Sequence, residues 1–302
     1  MPHNVALAPT VSVIIRCHDE ARHIGNLLAT ISTQTLTPAQ VVVVDSGSTD
    51  GTLAIARGHN VHLVEIRQDD FTFGRSLNHG CAAATGDILV FASAHVLPVG
   101  DDWLERLVAH FAEPEVGLVY GRQVGHDVSG FSECQLFAQQ FPAVSNSDQR
   151  SPFCNNANAA VRRALWQQQA FDETLTGLED LAWGRWALAH GHRIVYEARA
   201  AIVHIHEESP RKIFRRYERE AIALRRIFPD SHLGLVETLR LMVRGIVGDL
   251  LAAIRARCFW RCLGEVVMFR TMQYWGAYRG VRYRSPVTHE LMMRFYYESH
   301  RR

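Results

Sequence analysis

Chemistry in this chain concentrates where apolar runs give way to acids and imidazoles. In VVVVDSGSTDGT (residues 41–52), Asp45 closes a β-branched run and small residues follow it. An acid so placed either meets a ligand or shapes the turn, and Ser48, Thr49 and Asp50 are N-cap candidates for a helix opening near Gly51. In LEDLAW (178–183), Glu179 and Asp180 fall near the start of a helix running to Gly191. Unsatisfied amides there favour an ionised carboxylate, and capping the helix is the plain role for Asp180. VHIHEE (203–208) alternates so that His204 and His206 share one side of a strand end, open to one pocket or lying in a polar loop. FASAHVLP (91–98) runs a buried strand into Ser93 and His95 before Pro98 stops it. Neutral imidazoles ligate Mn2+ well and Mg2+ poorly, whereas protonated ones beside Arg211 could stabilise a departing anion.

These groups need a frame. Continuous apolar runs at VSVII (11–15), VVVVD (41–45), VHLVEI (61–66) and ILVFAS (88–93) predict buried parallel strands. Amphipathic helices near 21–33, 51–58 and 75–85 separate them, the last closed by Thr85-Gly86. This is a doubly wound α/β layout, whose ligands collect at the carboxyl ends of the strands. From 100 to 206 the pattern mixes a helix near 102–111, a strand near 116–123, a polar region at 142–156, a helix after Asp180, and strands near 193–197 and 200–204. Helices dominate after Ser209-Pro210, so the chain divides into a catalytic body, 1–210, and a helical region, 211–302. Ile213, Phe214, Tyr217, Ala221 and Leu224 share a helix face ringed by Arg215, Arg216, Arg219 and Arg226. Residues 235–255 repeat the design with Val236, Leu239, Val243, Ile246, Leu250 and Ile254. Such faces either pack on the body or lie on anionic lipid.

Composition narrows the chemistry. With 302 residues and 47% hydrophobic side chains, the chain can bury one large core. Its net charge of +1 hides 13 arginines against 23 acids in 1–210, and 19 basic against 8 acidic residues in 211–302. A carboxylate-bearing body and a basic tail that meets something anionic follow from that split. Lys212 is the sole lysine, which excludes a phosphate-loop lysine or a Schiff base in the first two hundred residues. No GxGxxG follows the first strand, which disfavours a dinucleotide-binding oxidoreductase, and the tail's apolar helix faces disfavour nucleic acid. Six cysteines without a CxxC pair predict reduced thiols. MPHNVALAPT has no leader pattern and no run of about 18 uncharged apolar residues occurs. The expected location is the cytoplasm, at most peripheral on the cytoplasmic face of the inner membrane.

Four segments carry a family resemblance: VSVIIRCHDEARHIGNLLATISTQT, VVVVDSGSTDGT, FGRSLNHGCAAATGDILVFASAHVLP and FDETLTGLEDLAWGRWALAHGHRIVY. In order and spacing they resemble the successive blocks of family-2 glycosyltransferases with the GT-A fold, a Rossmann-like α/β architecture with a mostly parallel central sheet. The FxxGxxxN segment at Phe71–Asn78 is most similar to the rhamnosyltransferase-like bacterial enzymes that build surface polysaccharides. The resemblance implies an inverting transfer from a nucleoside-diphosphate sugar to an acceptor hydroxyl. It makes Asp180 the base and sets Asp45 and Glu20 against the nucleoside, uridine or thymidine best matching a carboxylate that accepts a ring N–H. Arg75, Asn78 and Ser93 would line the donor pocket, with a helix's first turn as the plain alternative for the first two. Asn156, Glu179 and Trp183 fall where an acceptor would lie, although turn, structural and core roles suit them equally.

The resemblance also implies a divalent cation, Mn2+ or Mg2+, on an Asp-any-Asp element. Here Ser93 and His95 stand in the two aspartate positions, and His204 and His206 could complete an imidazole-rich site that favours Mn2+. The processive QxxRW element is broken, since Ala182 precedes Arg185-Trp186, so one sugar per encounter is expected. The lost aspartates keep open a second reading, a non-catalytic nucleotide-sugar-binding protein. A glycan or lipid-linked acceptor and an anionic membrane surface are the expected partners.

Overall fold

The computed structural model describes residues 9–297, so the leader reading of MPHNVALAPT falls almost wholly outside the described residues. Strand β1 (Val11–Cys17) runs through the centre of the molecule. Val11, Val13 and Ile15 face one hydrophobic cluster and Ile14 the other, as the period of two requires. Its parallel neighbours are β2 (Gln40–Asp45) and β4 (Ile88–Ser93), with β3 (His62–Glu65) beyond β2. The crossovers are α1 (Ile24–Ser32), α2 (Thr52–Arg57) and α3 (Phe73–Ala83). There follow β5 (Val96–Pro98), α4 (Trp103–Ala109), β6 (Val116–Gly125), α5 (Phe131–Gln140) and β7 (Asn146–Gln149). Then come β8 (Asn158–Arg162), α6 (Arg163–Gln168), α7 (Glu179–Ala189) and β9 (Arg193–His204).

The strands form one sheet in the order β3-β2-β1-β4-β8-β6-β9-β5, with β7 also paired to β9. Six strands share a direction, and β5, β7 and β8 run against them. The predicted α/β layout with a mostly parallel central sheet is therefore present. Side chains of α1 and α4 cover one face; those of α3, α5 and α7 cover the other.

Local departures have local causes. The two strands expected at 193–197 and 200–204 are one, β9, which shifts register against β6 opposite Gly121. Thr85-Gly86 does not cap α3: the helix stops at Ala83 and the backbone is already extended at Ala84. Gly86 serves close approach instead, because a Cβ there would lie 2.6 Å from the Ser12 amide nitrogen.

Four helices complete the chain: α8 (Pro210–Ile227), α9 (Leu235–Arg255), α10 (Phe259–Arg282) and α11 (His289–Tyr296). Ser209 caps α8, its Oγ accepting from the Lys212 amide at 3.3 Å, with Pro210 in the first turn. Helices α8 and α10 meet backbone to backbone, because Gly276 and Gly280 face the carbonyls of Phe214 and Glu218 with no room for a Cβ. The apolar face of α8 packs inward through Ile213 and Ala221, whereas that of α9 is divided: Ile246 and Leu250 pack with Ala253 against Phe131, Cys262 and Val266. Val236, Leu239, Val243 and Ile254 are exposed. Helix α9 also turns Asp249 inward, bonded through both oxygens to Arg270 of α10 at 2.7 and 2.8 Å. Both residues are at most 3% exposed. Asp249→Ala should leave the Arg270 charge with no carboxylate, only the Gln273 amide oxygen at 2.8 Å, and cost about 3–5 kcal/mol, read as a lower urea midpoint, whereas replacing both residues by apolar ones of similar size should recover most of the loss.

Candidate active site

The carboxyl ends of β1 and β4 open into a cavity of about 560 Å3. Pairing of β5 with the end of β9 sets Val96 opposite His204, and the Ile205 amide donates to the His95 carbonyl at 3.1 Å. Three imidazoles converge as a result, with ring centroids 4.1 Å apart for His204 and His206 and 5.1 Å for His95 and His204. Each ring has its Nδ1 held by an oxygen: His95 by Glu20 at 2.6 Å, His204 by Gln123 at 2.7 Å and His206 by Glu133 at 2.7 Å. A carboxylate or amide oxygen at Nδ1 places the proton there and leaves Nε2 with its lone pair. The Nε2 of His204 is buried and has no partner. Burial lowers the pKa of both His204 and His206 well below the usual imidazole value, so both are neutral at physiological pH. The three imidazoles, offering one ligand atom each, all within 4.8 Å of one another, form a donor set suited to a borderline divalent cation.

Asp180 enters the same cavity from the first turn of α7. The residue before the helix, Leu178, takes left-handed backbone angles (φ 57°), a strained turn that brings the helix start against the segment before β8. Asp180 Oδ2 accepts from the Asn156 amide at 3.1 Å and Oδ1 from the Leu181 amide at 2.7 Å. Burial, and then the neighbouring Glu179 carboxylate, raise its pKa to about 7. Arg16 reaches Glu179 at 3.4 Å, which anchors the neighbour rather than Asp180 itself. Beside Asp180, both side-chain amide atoms of Asn156 are buried without partners, an unused donor and acceptor at the cavity wall.

A second hollow of about 300 Å3 adjoins the first and shares Arg16, Glu20, Ser93, His95 and Arg219 with it. Its walls are aromatic: Phe71 and Phe73 meet Tyr296 edge to face at 5.0 and 5.2 Å, and Tyr297 packs on His18 at 4.7 Å. Phe73 lies beneath two guanidinium groups, Arg16 at 4.9 Å and Arg219 at 4.6 Å. Lys212 also lines both hollows.

Comparison with known proteins fits this geometry. The profile of Glycosyl transferase family 2 matches residues 12–167, more than half of the chain. The chain belongs to glycosyl transferase family 2. Among curated relatives, it is 28% identical over 221 residues to the O-antigen chain rhamnosyltransferase RfbN of Salmonella typhimurium, covering 68% of this chain and 70% of that one. With WbaN of Salmonella anatum, also named an O-antigen chain rhamnosyltransferase, it shares 28% over 197 residues, 61% of this chain and 62% of that one. Of solved structures, the mannosyltransferase PcManGT from Pyrobaculum calidifontis, in complex with GDP-Man and Mn2+, superposes with a TM-score of 0.65 at 21% identity, covering 91% of this chain and 88% of that one. The S. aureus TarS fragment 1–349 with UDP-GlcNAc superposes with a TM-score of 0.57 at 18% identity, covering 87% and 90%. The fold is GT-A.

Set on this family-2 frame, the residues singled out from sequence part into two groups. Glu20, Ser93, His95, Asn156, Glu179, Asp180, His204 and His206 all line the first cavity. Glu20 spends its carboxylate on His95 rather than on open space. The others lie elsewhere. Asp45 is 1% exposed and accepts from the Gly47 and Ser48 amides at 2.9 and 3.0 Å, so it shapes the turn that exposes Ser46 to the second hollow. Arg75 and Asn78 turn to Glu173, at 2.8 and 2.9 Å, and fasten α3 to the segment before α7. Trp183 is a core residue against Phe171, its indole donating to the Gln169 carbonyl at 2.7 Å. Arg211 lines neither hollow; its neighbour Lys212 lines both.

Sequence reasoning passed over Lys212, Arg216 and Arg219 as cavity residues, although their i, i+4, i+7 spacing puts them on one side of α8. Tyr296 and Tyr297 carried no local signal, since only the fold brings the chain's last described residues to Ser46. Glu179→Gln should remove the like charge beside Asp180 and lower its pKa below 7, a shift readable by carboxyl 13C NMR titration; an unmoved titration would assign the elevation to burial alone.

Proposed function

We propose that this protein transfers single sugars, with inversion, from a UDP- or dTDP-sugar to an acceptor hydroxyl during assembly of a cell-surface polysaccharide or glycolipid. The observation that carries the reading is a carboxyl group with a pKa of about 7 in one cavity with three clustered imidazoles. A base poised near neutrality serves proton abstraction from a hydroxyl better than an ordinary carboxylate, which is too weak a base at that pH. Asp180 takes the acceptor's proton as its oxygen attacks the anomeric carbon from one side. The bond to the diphosphate breaks on the other, and Lys212 and Arg219 stand where charge on the departing phosphates can be met. Asn156 offers its unpartnered amide to an acceptor hydroxyl, beside Glu179. The aromatic hollow suits a nucleobase, with Ser46 and Ser93 offering polar contacts to the nucleoside.

His95, His204 and His206 would hold a divalent cation through Nε2, and the orphaned Nε2 of His204 fits that assignment. Such a cation, Mn2+ before Mg2+ on an imidazole donor set, supplies charge neutralisation for the diphosphate. The neutrality of His204 and His206 weighs against the metal-free reading in which protonated imidazoles stabilise the leaving group. The rhamnosyltransferase names of the two Salmonella relatives support surface polysaccharide as the product class. A lipid-linked acceptor on the cytoplasmic face of a membrane, met by the basic region 211–302, completes the reading.

Three outcomes test it. Asp180→Asn should keep nucleotide binding and lose about 10²–10⁴-fold in kcat; full turnover in that variant would leave a binding protein or another base. In the wild type kcat should rise with pH through about 7, because the protonated carboxyl that dominates below it cannot accept a proton. Gln123→Ala frees the His204 ring and should weaken Mn2+ binding, followed by electron paramagnetic resonance, by about 10–100-fold.

A further inference from the structure

Helix α9 packs Ile246, Leu250 and Ala253 against α10 and carries a second apolar stripe that nothing among the described residues covers. Val236, Leu239, Val243, Val247, Leu251 and Ile254 recur every three or four residues and are all exposed, Val236 by 81%. At 1.5 Å per residue they form a stripe about 27 Å long. The buried pair of Asp249 with Arg270 lies in the packed interface with α10 and fixes which side of α9 is left outside. At the carboxyl end the stripe runs into the hollow lined by Ile254, Phe259 and Trp260, the last 85% exposed. Exposed arginines flank it: Arg240, Arg244 and Arg255 on the helix, Arg257 and Arg261 beyond it. Glu237 is the one exposed carboxylate on α9.

We infer that this face, with Trp260 at its end, is where the protein lies on an anionic bilayer. A continuous aliphatic stripe edged with arginines matches the acyl and headgroup layers of such a surface, and an exposed tryptophan suits their boundary. No helix among the described residues is long and apolar enough to cross a membrane, so the helix rests in the surface plane. A second copy of this chain fits less well, because two-fold pairing of the face would oppose arginine rows with one carboxylate per helix to offset them. The cavity is linked to this face through α8, which lines the cavity with Lys212 and Arg219 and packs its backbone on α10. The inference rests on the proposed membrane-side acceptor for its purpose, but donor binding and vesicle binding are separate measurements and either can fail alone.

The test is flotation of the full chain with vesicles of phosphatidylcholine alone or mixed with phosphatidylglycerol. The wild type should float with the anionic vesicles at low salt, less so at high salt. The pair Val243→Glu and Leu251→Glu should abolish flotation while keeping thermal stability and nucleotide binding. Arg240→Gln with Arg244→Gln should lower the partition coefficient about 30-fold, about fivefold per arginine. The emission of the wild type should shift to the blue on anionic vesicles, and most of that shift should vanish in Trp260→Phe. Absence of flotation at low salt, or flotation unchanged by the two glutamates, overturns the inference. A wild-type dimer that the glutamates split assigns the face to a second copy and overturns it as well.

Discussion

Glu133 is the joint on which the site and the helical region both turn. One of its oxygens accepts from His206 at 2.7 Å and from Arg216 at 2.8 Å, with the side chain 6% exposed. A buried carboxylate needs such partners to stay ionised, and a buried guanidinium needs carboxylates as much. Satisfying all three groups ties α5, the end of β9 and α8 into one polar network, with Glu208 beside the same Arg216 nitrogen at 2.9 Å. The tilt of α8 then decides which of its basic side chains reach the cavity. The same contact orients the His206 ring, so seating the helix and aiming the imidazole are one event.

How much of this was legible from residues depends on the range of the interaction. The parallel strands were plain because burial on both faces demands uninterrupted β-branched runs, as at Val41–Val44. The meeting of His204 with His206 followed from alternation, strand-end placement gave His95 its neighbourhood, and a helix start gave Asp180 its own. Asp45 also serves its own turn, as a strand-end acid can, accepting from the amides of Gly47 and Ser48 two and three residues away. Arg75 and Asn78 were claimed by Glu173, about a hundred residues on, a partner no local pattern announces. The apolar stripe of α9 was visible, but its direction was not. That was set by Asp249 and Arg270, which sit 21 positions apart on two helices.

The split in charge between the two parts of the chain acquires a structural meaning at α8. The acidic body supplies Glu133 and Glu208, and the basic region supplies Arg216 to neutralise them in the interior. Arginines on α9 and at the α9–α10 turn, by contrast, stay in solvent. One composition bias thus does two things: it closes a buried network near the cavity and leaves a cationic surface away from it.

The imidazole cluster has a consequence for which element the protein carries. Aspartates would discriminate by hardness and charge, favouring the abundant oxygen-loving cations. Three imidazole nitrogens would rank the first-row metals in a different order, with copper and zinc above manganese. Histidine in place of acid would therefore leave such a site prone to mismetallation, with the ion set by the supply of each metal more than by the affinity of the cage.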